Sequence, residues 1–155
     1  MKSIILASKS EVRKKILDEN NIKCAVEPSN LDEEEVKKSL IYQGATPELI
    51  SKNLAELKAN KVSQKRIGEI VLGADSVIDL DGKLISKPKN RTEAMNILTS
   101  LNGKSHFLIS SVCISLGGKM IWNHTEKAEM KMKNFTQEEL QEYLSKISDK
   151  NLYSY

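Results

Sequence analysis

The sequence predicts an α/β domain built on a mixed sheet with flanking helices. In the first half, short apolar runs that suit strands alternate with capped, amphipathic stretches that suit helices, which is the order of a parallel sheet. In the second half, Asp81-Gly82 and Gly117-Gly118 each divide two strand-like runs, and such turns join antiparallel strands. Composition allows a core. Of 155 residues, 39% are hydrophobic and 29% charged, enough apolar material for one packed domain over 1–155 and too much for wholesale disorder.

Each element has its own warrant. Ile4 to Ala7 is a short apolar run, read as a buried strand. A helix opens near Ser8–Ser10, since serine is a good N-cap, and ends at Asn20-Asn21. Ile22, Cys24 and Val26 alternate with polar neighbours as a half-buried strand that Pro28 stops. Asp32 to Glu35 followed by Lys37-Lys38 matches a helix dipole, and Gly44 closes that helix. Thr46-Pro47-Glu48 opens the next, whose apolar stripe is Ile50, Leu54, Leu57 and Val62, ending near Arg66. Ile70 to Ile78 is the strongest strand, with Lys83 to Ile85 returning as a hairpin. Thr92 caps a helix that Gly103 ends. Phe107 to Leu116 and Met120 to Met132 are two long strands, and a Thr136/Glu139 capping box starts a last helix to about Ile147.

Several function classes are set aside. The net charge of +3, from 24 Lys+Arg against 21 Asp+Glu, is too small to argue for nucleic-acid binding. Aromatics are 5% and scattered, with no basic–aromatic alternation for base stacking. No apolar run is long enough to span a membrane, and Ile4 to Ala7 is too short for a secretory signal. Cys24 and Cys113 form no CxxC pair and suit reduced thiols in a cytoplasmic protein, while His106 and His124 lack zinc-ligand spacing.

Five places could carry chemistry. Ser8, Ser10 and Arg13 surround the first strand-to-helix junction, where free N–H groups and a cation bind anions; taken alone, a plain serine cap with a solvated basic face is the simpler explanation. Asp75 lies in an apolar strand after Gly73-Ala74, an expensive place for a carboxylate unless it meets a cation, a metal or the strand end. Lys87, held extended by Pro88, can point at a phosphate or lie in solvent. Lys58 sits near the apolar stripe of its helix, where it snorkels or enters a cleft. The run Asp32 to Glu35 is mostly helix-end charge, with one or two members able to face a divalent metal. Together they describe a site for polyphosphate chemistry.

In this order, Ile5-Leu6-Ala7-Ser8-Lys9-Ser10 with Arg13, Leu31-Asp32-Glu33, Leu54 to Ala59, Leu72 to Val77, Lys87-Pro88, Leu101 to His106 and the Phe135–Tyr143 stretch resemble the Maf family of nucleoside triphosphate pyrophosphatases. The resemblance covers nearly the whole chain. It implies an elongated fold with a central cleft, like that of the ITPase-type house-cleaning enzymes. It also implies hydrolysis of a nucleoside triphosphate to monophosphate and pyrophosphate with a divalent cation, Mg²⁺ or Mn²⁺. Carried over by position, Asp75 matches the catalytic or metal-holding aspartate and Glu33 its acidic partner. Ser8, Ser10 and Arg13 match the phosphate-binding turn, and Lys58 and Lys87 the cleft lysines.

Departures from the family pattern are local. Its Ser-Pro-Arg-Arg turn is Ser10-Glu11-Val12-Arg13 here, and Ser76 stands where Thr is common. The positions of Val12 and Ser76 help choose the base in the family, and this pair matches neither the pyrimidine-preferring nor the methylated-guanine-preferring pattern, so base identity stays open. Asp149-Lys150 resembles the start of an Asp-Lys-Ala-Gly stretch, but Asn151-Leu152 follow. The family's later strands and final helix are not matched, which leads to the expectation of a C-terminally incomplete domain with uncovered apolar faces and strand edges. A second copy of the chain is then a candidate partner. The alternative to an active enzyme is a catalytically weak relative that binds nucleotide or a protein.

Overall fold

The computed structural model describes residues 3–152, so the ends of the domain expected over 1–155 lie outside the described residues. Its order is β1 (Ile4–Leu6), α1 (Glu11–Glu19), β2 (Cys24–Val26), α2 (Glu33–Tyr42), α3 (Pro47–Lys65), β3 (Val71–Leu80), β4 (Lys83–Ile85), α4 (Arg91–Leu101), β5 (Ser105–Leu116), β6 (Lys119–Lys131), α5 (Gln137–Ser145) and α6 (Asp149–Leu152). The strands form one sheet in the order β2-β1-β3-β5-β6, with β4 also on β3. β1 runs parallel to β2 and β3, while β3-β5-β6 and β3-β4 are antiparallel, so the sheet is mixed.

Local chemistry accounts for most boundaries. Ser10, Asp32 and Thr46 cap α1, α2 and α3 by accepting from Arg13, Glu35 and Leu49 backbone N–H groups, and Pro47 opens α3. Both hydrogen bonds of the Thr136/Glu139 capping box form. Asp79 accepts from the Gly82 N–H at 2.7 Å, and Gly82 takes φ +84°, tightening the β3–β4 turn.

Four details depart from expectation. α4 is capped by Asn90, which accepts from Glu93, and Thr92 lies inside the helix; Asn caps as well as Thr does. Leu57 is exposed, because the face of α3 that meets the sheet runs through Ile50, Leu54, Ala55, Ala59 and Val62. Val26 is likewise exposed on a sheet edge, so β2 buries less than its alternation suggested. α6 was not foreseen; its single turn is fastened from outside, where the Arg91 guanidinium donates to the Leu144 and Ile147 carbonyls and to Asp149.

Helices lie on both faces of the sheet. On one, α3 covers Ile5, Ala7, Val71 and Cys113. Burial pushes the Cys113 thiol up to about 11, and both cysteines are free. On the other, Ile78, Leu80, Ile85 and Met132 pack with Ile97 and Leu101 of α4. Ala94, Leu144 and Leu152 then join α4, α5 and α6.

One break in pairing positions the site. β5 pairs with β3 from Val71 to Asp79 along one edge. The other edge is shared: β1 stops at the Leu6–Leu72 pair, and β4 starts at the Ile78–Ile85 pair. Gly73 to Val77 therefore have no strand beside them on that edge, and the chain opens there.

Candidate active site

A cleft of about 880 Å³ occupies this opening. Its walls are the β1–α1 turn with Ser8, Ser10, Val12 and Arg13, the start of α2 with Glu33 and Lys37, Lys58 of α3, and Lys87 after β4; its floor is β3 with Asp75 and Ser76. Every site residue expected from the sequence thus borders one cavity. Asp75 and Ser76 point to opposite faces, as neighbours in a strand must. Both reach the cleft because the sheet is interrupted beside them.

Gly73 sets the floor. A Cβ there would lie 2.4 Å from the Ala55 carbonyl oxygen and 2.8 Å from the Ala59 Cβ, so only glycine allows α3 this close. The close approach carries Lys58 under β3. Its buried ammonium donates to Asp75 Oδ1 at 3.1 Å and the Ala74 carbonyl at 3.4 Å, and pairs with the Glu33 carboxylate. Ser51, also buried on α3, donates to the Asp75 carbonyl. The second carboxylate oxygen of Asp75, Oδ2, is buried without a hydrogen-bond partner.

The surroundings push the two carboxylates apart. Burial raises Asp75 above the ordinary carboxylate value, outweighing the pull of Lys58. Burial acts upward on Glu33 too, but the hydrogen bond from Lys58 and the charges of Lys58, Lys37 and Lys87 take it below the usual value. One carboxylate is held as a firm anion; the other gains affinity for a proton.

Across the cleft, the buried Ser8 hydroxyl accepts from the Ser10 N–H and from Arg13 Nη1, both at 3.1 Å. Arg13 is folded back over the turn, its burial working against its charge while Asp75 and Glu33 support it. Burial likewise lowers the Lys87 ammonium, against the pull of Glu33. Val12 lies at the mouth, and the Ser76 hydroxyl meets that of Ser110 at 3.1 Å. Glu11 is turned to solvent; its side chain is 83% exposed and faces Lys150 at 3.5 Å, and neither residue lines the cleft.

Lys37 and Ser110 line this cleft as well, and the sequence did not single them out. For Lys37 the usable signal was its spacing of four from Glu33, which puts both on one helix face. Ser110 had none, since its place follows from pairing with Ser76.

The donor set fits a hard divalent cation. Asp75 offers its unpartnered Oδ2, with the Glu33 carboxylate on the same lysine. Among the described residues no group of three or more His, Cys, Asp or Glu side chains could hold a metal alone. The rest of the shell would have to be substrate oxygens and water, which suits Mg²⁺ or Mn²⁺ better than zinc.

Comparison with known proteins agrees with this architecture. Residues 3–151 match the Maf-like protein family. The chain is 68% identical over its whole length to 80% of a nucleoside triphosphate pyrophosphatase of Pelagibacter ubique. It is 34% identical to a 7-methyl-GTP pyrophosphatase of Brucella abortus, over 94% of this chain and 73% of that one. Among solved structures, a nucleoside-triphosphatase (dITP/XTP pyrophosphatase) of Mycobacterium abscessus superposes with TM-score 0.52 at 10% identity, over 84% of this chain and 74% of that one. A HAM1 protein of Coxiella burnetii does so with TM-score 0.51 at 15% identity, over 84% and 73%. Those two show a shared fold. With a match that leaves only a few terminal residues aside and a full-length alignment at such identity, the chain belongs to the Maf-like protein family.

Proposed function

We propose that the chain hydrolyses a nucleoside triphosphate to the monophosphate and pyrophosphate, at the cleft beside Asp75. The observation that carries this reading is the placement of Asp75 and Glu33 on one buried lysine, opposite the Ser8–Arg13 turn. Acidic groups for a cation and proton thereby face cationic groups for phosphate. The relatives' activity supports the same reading.

In this mechanism Ser10, the α1 N-terminus and Arg13 hold phosphate oxygens. A water attacks the α-phosphorus as the bond to the bridging oxygen breaks, and pyrophosphate leaves with that oxygen. Asp75 Oδ2 takes the proton from the attacking water, a task helped by its raised proton affinity. Lys87 faces the charge that builds on the departing pyrophosphate. A divalent cation held by Glu33 and the substrate's own phosphate oxygens would supply Lewis-acid polarisation of those oxygens, leaving Asp75 Oδ2 for the proton. Val12 and Ser76 border the space for the base. A cytoplasmic location suits such a substrate, and no described helix is long and apolar enough to cross a membrane.

The test is incubation of the chain with Mg²⁺ and a panel of canonical and modified nucleoside triphosphates. Pyrophosphate and monophosphate should appear in equal amounts, and Asp75→Asn should lower the rate about a thousand-fold. Nucleotide binding without pyrophosphate release would sink the reading in favour of a binding protein.

A further inference from the structure

We propose that Lys37 is a further polyphosphate-binding residue of this cleft, and that Lys37 and Lys87, rather than Lys58, supply the ammonium groups that meet the pyrophosphate end of the substrate. The proposal rests on the pyrophosphatase reading for its substrate, and on the state of each cation for its geometry.

Lys58 is already committed. An ammonium has three donors, and those of Lys58 meet Asp75 Oδ1, the Ala74 carbonyl and the Glu33 carboxylate. To bind phosphate it would have to give up one of these three partners, two of which are carboxylates. Its place in the fold is that of a clasp that sets the two carboxylates side by side.

Lys37 and Lys87 are in the opposite condition. Both border the cleft, and neither has a carboxylate within 4.0 Å or a hydrogen bond among the described residues. They approach from different elements, Lys37 from α2 and Lys87 from the segment after β4. Lys37 is half-buried, and its charge acts on Glu33, Asp75 and Lys87 alike.

The helix itself does not explain Lys37. α2 spans Glu33–Tyr42 and has no basic residue in its last turn, so Lys37 is too early to serve the negative end of the dipole. Its neighbour Lys38 is exposed and absent from the cleft lining. An uncommitted, half-buried cation one turn from a metal-type carboxylate is placed for an anion that arrives with the cation. With Arg13 on the facing wall, Lys37 and Lys87 give a polyphosphate positive charge on three sides.

The experiment measures affinity for inorganic tripolyphosphate by titration calorimetry, beside KM for the preferred nucleoside triphosphate. The proteins are the wild-type chain, Lys37→Gln, Lys37→Arg and the neighbouring control Lys38→Gln. Lys37→Gln should lose about ten-fold in tripolyphosphate affinity and raise KM similarly, with nucleoside monophosphate affinity little changed. Lys37→Arg should recover most of the loss, and Lys38→Gln should match wild type. Equal behaviour of Lys37→Gln and Lys38→Gln would overturn the proposal. The two readings fail separately. A wild-type chain that releases no pyrophosphate but binds tripolyphosphate through Lys37 loses the enzyme and keeps the site. A chain that turns over triphosphates with Lys37→Gln at wild-type KM keeps the enzyme and loses the role of Lys37.

Discussion

β5 has two neighbours in the sheet, β3 and β6, and they live in different solvents. The β3 side lies under α3: Val71, Gly73, Asp75 and Val77 are buried there, together with Ile109, Ser111, Cys113 and Ser115 of β5. β6 pairs with β5 from Lys119 to Lys131, yet no β6 residue is buried. Backbone pairing is thus continuous across a boundary where burial falls away, with only the β6 start at Met120 packing, partly buried, against the α3-side cluster. A ladder of hydrogen bonds gives a strand its place, and a helix laid over it gives a buried charge its meaning. The candidate site belongs to the α3-backed region, where fixed neighbours can hold Asp75 and Glu33 in one geometry.

The strongest way to break this contrast is Lys58→Met. It removes the common partner of Asp75 and Glu33 and leaves buried carboxylate behind, so urea unfolding should show a loss of about 4 kcal/mol at neutral pH. A loss under about 1 kcal/mol would mean that water already compensates these groups, and that the α3 side is no drier than β6.

Gly73→Ala should cost somewhat less, about 3 kcal/mol, because the added methyl meets backbone atoms of Ala55 and Ala59 that cannot swing away. An unchanged melting temperature would show that α3 slides freely on β3. The same variant should lose activity beyond its loss of stability, since any retreat of α3 withdraws Lys58 from Asp75.

These two predictions also show what could be seen before the fold was known. Ser10, Thr46-Pro47, Asp81-Gly82 and the Thr136/Glu139 box act within a few residues, so the sequence displayed them directly. The clasp could not be seen that way. Glu33, Lys58 and Asp75 are far apart in the chain, and the depth at which α3 meets β3 at Gly73 decides whether they touch. The Maf resemblance named those three positions without supplying the contact. Lys37 was hidden behind a competing explanation, since a lysine following acidic residues on a helix usually answers to the dipole. α6 was hidden because its support comes from Arg91, distant in sequence.

A smaller effect of opposite sign is expected at Asp75. Burial raises its folded proton affinity above that of the unfolded chain. The native state therefore loses stability as pH rises from the unfolded carboxylate value of about 3.9 to the higher folded value, and the deficit persists at neutral pH. Asp75→Asn removes that titration. It should match or exceed wild-type stability at pH 7, and the advantage should shrink as pH falls from the folded value to the unfolded one. Wild-type activity should fall on acidification, as Asp75 takes up its proton. A destabilised Asp75→Asn at neutral pH would show that the pull of Lys58 outweighs burial, and would reverse the roles given to Asp75 and Glu33.

The smallest effect belongs to β6. Trp122 is 48% exposed and stacks on the His124 ring with centroids 6.1 Å apart. It is the largest side chain on the strand, so on the α3-backed side its truncation would cost about 3 kcal/mol or more. Trp122 keeps about half of its surface in solvent, so Trp122→Ala should cost much less, about 1 kcal/mol. Tripolyphosphate affinity should stay within about two-fold of wild type, because neither ring lines the cleft. A Trp122→Ala loss comparable to that of Gly73→Ala would show that something covers the β6 face in solution. A dependence of that loss on protein concentration would identify the cover as a second copy of the chain.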